Sequence, residues 1–127
     1  MKGNGEERLR GMLGFAMRAG RVIIGADLVC AAMSKRGVGR PHLVLVSASA
    51  SDATKKRAFS KSEFYGIEAL EIAIGQDELG RLLGKTYAPV VLGITDARFA
   101  EEIKRAVLSD PKNERDRKDV FAEGENR

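Results

Sequence analysis

Apolar residues recur along this chain with two periods in alternation, and each change of period marks the edge of an element. Over residues 6–19, Leu9, Met12, Leu13 and Ala16 follow three- and four-residue steps while Arg8 and Arg10 fall outside them, which predicts an amphipathic helix stopped by Gly20. Val22-Ile23-Ile24 is β-branched throughout and reads as a short strand. Gly25 then opens a second helix whose apolar stripe is Leu28, Val29, Ala32 and Met33, ended by Lys35-Arg36-Gly37. His42-Leu43-Val44-Leu45-Val46 is apolar except for His42, as expected of a central strand covered on both faces.

The second half repeats the alternation. Ser49 with Asp52 three residues on has the form of a capping box, Ser51 is a competing cap, and the helix they start runs to about Phe64, where Gly66 breaks it. Glu68 to Ile74 alternates enough to make a strand nearer an edge. Asp77-Glu78 begins a fourth helix with Leu79, Leu82 and Leu83 inward, Pro89 leads into the strand Val90 to Ile94, and Thr95-Asp96 caps a last helix that buries Phe99, Ile103, Ala106 and Val107. Strand and helix in alternation give an α/β protein, a three-layer α/β/α sandwich around a four-stranded mixed sheet. One domain covers residues 1–108. From 109 to 127 the apolar pattern fades into charges of both signs, and that segment is expected to be a disordered tail.

Composition narrows the function. A length of 127 residues with 43% apolar side chains supports a buried core without disulfides or metals. Cys30 has no partner cysteine, its place on an apolar helix suggests a small buried side chain, and His42 is the sole histidine, so neither a zinc site nor a Cys–His nucleophile is expected. No cofactor is implied. The apolar runs are too short for a membrane span and the amino terminus lacks a signal peptide, which leads us to expect a cytoplasmic protein. Residues 1–108 carry a net charge of +5 and residues 109–127 of −1, so the folded part holds the excess that a polyanion would meet.

Two motifs carry candidate chemistry. In Arg18-Ala19-Gly20-Arg21-Val22-Ile23-Ile24-Gly25-Ala26-Asp27-Leu28, Gly20 can close one helix in the left-handed region, and Gly25 lets a ligand approach the unpaired N–H groups of the next. Arg18 and Arg21 stand beside them as phosphate contacts; the plain alternative is a pair of turn glycines. The second motif, Glu78 to Tyr87, contains Gly80, Gly84, Lys85 and Thr86 and superficially matches a nucleotide-binding loop. That loop requires four residues between its glycines and opens a helix after a strand, whereas here there are three and the glycines close a helix. A nucleotide-binding enzyme is thereby disfavoured. Lys55-Lys56-Arg57 with Lys61 reads first as a solvated helix face and second as an auxiliary RNA contact.

From Leu9 to Val107 the chain resembles the L7Ae family of ribosomal proteins, and within it the bacterial branch. The resemblance rests on Leu13-Gly14-Phe15-Ala16-Met17-Arg18-Ala19-Gly20-Arg21 with Gly25, on Leu43-Val44-Leu45-Val46 followed by Ser51-Asp52-Ala53-Thr54-Lys55-Lys56, and on Glu78-Leu79-Gly80-Arg81 with Gly84. It implies an α/β/α sandwich that binds kink-turn RNA without catalysis. Gly25, Ala26, Asp27 and Leu28 would meet the sheared base pairs, and Lys85, Thr86 and Tyr87 an extruded base. Arg18, Arg21, Lys35, Arg36 and Lys85 would hold phosphates, with Gly20 shaping the turn. The implied partners are structured RNA and the ribosome or a translation factor, with neither membrane nor metal. Better-known RNA binders of the family have Gly-Thr-Asn-Glu where this chain has Gly25-Ala26-Asp27-Leu28, so the alternative is a protein-interaction module of the same fold that has lost kink-turn binding.

Overall fold

A computed structural model describes residues 4–35, 37, 39–86 and 89–109. Its elements follow the order α1 (Asn4–Arg18), β1 (Val22–Ile24), α2 (Ala26–Met33), β2 (Leu43–Ser47), α3 (Asp52–Tyr65), β3 (Glu68–Ile72), α4 (Gln76–Leu82), β4 (Val91–Ile94) and α5 (Ala97–Leu108). Apart from Ser109, the expected tail lies outside the described residues.

The sheet order is β1-β4-β2-β3. β4 pairs antiparallel with β1 and with β2, whereas β2 and β3 are parallel, so β1, β2 and β3 run one way and β4 runs against them. β2 is buried at every position, as its unbroken apolar run predicts, and it shares the interior of the sheet with β4. β3 takes an edge, and its half-buried glutamates are held by ion pairs: Glu71 with Lys55 of α3 and Glu68 with Lys104 of α5.

Alternate strand residues feed two separate cores. Leu43, Leu45, Leu70, Ile72, Leu92 and Ile94 pack under α1, α4 and α5, while Val44, Val46 and Val91 pack under α2 and α3, which gives the three expected layers. Cys30 is 2% exposed and belongs to the second core as a small apolar side chain.

Two local expectations are corrected. Leu28 is not part of the buried stripe of α2; it is 64% exposed, because it precedes the buried Val29 by about 100° around the helix and so turns to solvent. The cap of α3 is Ser51, whose Oγ accepts from the Thr54 amide at 3.1 Å. Ser49 instead faces the next connection and accepts from the Gln76 amide at the start of α4.

Gly93 of β4 sets how closely α2 lies on the sheet. A Cβ there would stand 3.3 Å from Pro41 Cβ and 3.4 Å from Val29 Cγ2. The Gly93→Val substitution is expected to destabilise the protein by about 1–3 kcal/mol through overpacking between α2 and β4, measured as a lower urea midpoint at unchanged slope.

On the opposite face Arg10 of α1 bonds both Glu6 and Glu78, clasping α1 to α4. The hydrogen bond from Arg10 holds the Glu78 carboxyl below its ordinary value of 4.5. Because the folded value is depressed, the clasp contributes fully above the ordinary glutamate range and is lost as pH falls through the lowered value. Glu78→Gln should therefore be less stable than the parent at neutral pH, and thermal melts of the two should converge on acidification.

Candidate nucleic-acid interface

α2 begins without a side-chain cap. Gly25 occupies the N-cap with φ 108 and ψ 141, a conformation that L side chains rarely adopt, and provides no side-chain acceptor for the first-turn amides. Its own amide donates to the Val91 carbonyl at 2.9 Å and its carbonyl accepts from Val29, so the turn is fixed to β4 on one side and to the helix on the other. Open space surrounds the position where a Cβ would stand. The amides of Ala26, Asp27 and Leu28 thus form a helix tip with partial positive charge, with Asp27 and Leu28 exposed around it.

The tip carries a charge pair that the linear pattern does not show. Arg57 on α3 donates to the Asp27 carboxylate at 2.8 Å, and this bond raises the Arg57 pKa. The Asp27 side chain is 89% exposed, so the pair is a solvated contact worth little to stability. Its consequence is electrostatic: Asp27 does not confront an incoming anion alone. Arg57 was visible in sequence only as one of a run of basic residues, and the packing of α3 beside α2 singles it out.

The second motif closes α4 as its glycines suggest. Gly84 is left-handed with φ 69, and the amides of Gly84 and Lys85 donate back to Arg81 and Gly80. Lys85 is half-buried and Thr86 exposed at the upstream end of the connection into β4. The downstream end arrives beside the α2 tip, where the Val90 and Val91 carbonyls accept from Ser47 and Gly25. Tyr87 and Arg36 lie outside the described residues.

The remaining sequence-derived candidates are not at this tip. Gly20 and Arg21 precede β1, whose register runs from Val22 opposite Ile94 to Ile24 opposite Leu92, and the Arg21 carbonyl accepts from Thr95 beyond the other end of β4. Four residue steps of extended chain carry Arg21 to Gly25, roughly 13 Å along the sheet. Lys35, following the C-terminus of α2, returns to the Arg21 end, and Arg18 stands on the last turn of α1 with its guanidinium 5.0 Å from the Phe15 ring. These candidates thus fall on two surfaces at opposite ends of the sheet. Gly25, Ala26, Asp27 and Leu28 share one, whereas Gly20, Arg21 and Lys35 share the other.

Residues 7–104, which take in both surfaces and all of this order of elements but the outer ends of α1 and α5, match the profile of the ribosomal protein L7Ae/L30e/S12e/Gadd45 family. The chain belongs to that family. Two bacterial relatives, each named RNA-binding protein YlxQ, extend the likeness: that of Enterococcus faecium is 30% identical over 107 residues, covering 84% of this chain and 98% of the relative. That of Bacillus subtilis (strain 168) is 35% identical over 92 residues, covering 72% and 87%. Among solved structures, a Bacillus halodurans protein of unknown function superposes with a TM-score of 0.69 at 32% identity, covering 77% of this chain and 94% of the other. The Giardia lamblia 15.5kD RNA binding protein shares the fold, with a TM-score of 0.65 at 17% identity and coverage of 87% and 88%.

Within the family fold, the α2 tip depends on backbone freedom at Gly25. Gly25→Ala meets no neighbour and still forces a strained φ, so it is expected to cost about 1–3 kcal/mol, seen as a lowered denaturation midpoint.

Proposed function

We propose that the chain binds structured RNA of the kink-turn kind through the α2 tip, without catalysis, in the cytoplasm and in association with the ribosome or translation. The supporting observation is the uncapped, exposed first turn of α2, opened by Gly25 and anchored to β4. Amides there suit phosphate oxygens and polar base edges, and a glycine permits the distance of approach that a bent RNA requires. Arg57 compensates Asp27, leaving its carboxylate able to accept from a guanine edge while the local charge stays balanced. Lys85 and Thr86 extend the surface along the connection into β4, and the two relatives named as RNA-binding proteins support the ligand class.

A second reading rests on Leu28, an apolar side chain 64% exposed at the tip, which a protein partner could cover as readily as RNA could. Titration with a labelled kink-turn RNA and a sequence-matched straight duplex separates the two. Preference for the kinked RNA is expected; equal or absent binding at low salt favours the protein partner. In the same assay Asp27→Asn should bind as well as the parent or better. Arg57→Gln should bind more weakly, with the slope of log affinity against log salt reduced by about one if the freed guanidinium edge also meets a phosphate.

A further inference from the structure

We infer that the opposite end of the sheet is a second RNA surface, a groove that takes a single-stranded segment by its phosphates and by stacking. Arg21, Lys35, Arg40 and His42 line one continuous depression of about 810 Å³ together with Gly20, Gly37 and Gly39. Those three glycines have positive φ and empty space where a side chain would stand, so the backbone is open to approach. The depression continues past Gly37, Arg40 and His42 to Gly66 at the end of α3.

Aromatic side chains stand where the groove meets α3. Arg40 donates to the Tyr65 carbonyl and lies 6.0 Å from the Tyr65 ring, while Lys61 lies 5.9 Å from the same ring. Phe64 packs edge-on against Tyr65 at 4.9 Å and is 80% exposed, the most exposed large apolar side chain among the described residues. Phe64 thus holds an open face to water beside a ring, Tyr65, that itself meets the two cations Arg40 and Lys61. A cationic track flanked by aromatic faces is the arrangement that binds unpaired nucleotides, the cations following the backbone and the rings stacking bases. Among the described residues no carboxylate lines the depression; Asp96, near Arg21, spends its side chain capping α5 on the Phe99 amide. A regular duplex would leave Phe64 without a base to stack on, which favours a single strand.

The choice of RNA as the nucleic acid rests on the function proposed above, but the groove and the α2 tip are distinct surfaces and can be tested apart. The probe is a fluorescein-labelled oligouridine of about twelve nucleotides, titrated into the full chain by fluorescence anisotropy at low salt, beside the kink-turn RNA. Phe64→Ala, which removes only an exposed side chain, should weaken oligouridine binding by roughly fivefold or more. Lys35→Gln combined with Lys61→Gln should lower the salt slope by about 1.4, and circular dichroism should show both proteins folded. Neither change should alter kink-turn binding at the tip. Parent-like oligouridine affinity and salt slope in these variants, or no oligouridine binding by the parent chain, overturns the inference. Loss of kink-turn preference with the oligouridine effects intact overturns the proposed function and leaves the groove standing.

Discussion

Insertion of β4 between β1 and β2, antiparallel to both, is the constraint from which the two surfaces follow. One end of β4 accepts the Gly25 amide and so fixes where α2 begins; the other end gives the Thr95 amide to Arg21 and so fixes where β1 begins. With β1, β2 and β3 all running against β4, the helices that follow them start at a common end of the sheet. That end gathers helix N-termini. The opposite end gathers the turn glycines and the basic residues that follow α2.

Close packing then makes the tip a defined object. Gly93 removes a side chain where Val29 and Pro41 approach, so α2 rests directly on β4 and its first turn is supported from below. Glycine at the N-cap adds the conformation that aims the first amides outward. Rigid support below and no cap above is the arrangement that preorganises hydrogen-bond donors for a ligand, because little ordering entropy remains to be lost on binding. The ion pair between Asp27 and Arg57 tunes the charge of that surface without adding appreciably to stability.

Elements and layers were largely legible in the residues themselves. The β-branched run at Val22-Ile23-Ile24, the continuous apolar stretch from Leu43 and the stripe on α5 each imply their period, and Gly20 and Gly66 end helices in the left-handed region as expected. Leu28 was misassigned because an eight-residue helix buries a narrow face and composition does not say where that face ends. Ser51 rather than Ser49 caps α3 because the choice between neighbouring caps depends on the contact Ser49 makes with Gln76, far away in sequence.

By itself, the sequence determined the α/β class, the burial of Cys30 and the glycine-opened helix, since each depends on local propensity and period. It also determined membership of the family, through motifs kept in register. Only the tertiary structure decided that Gly25 and Arg21, four positions apart, belong to opposite ends of the sheet, that Arg57 guards Asp27, and that Arg40 meets Tyr65. Strand direction converts short separations along the chain into distance, and helix packing brings remote residues together; neither is written in the order of residues.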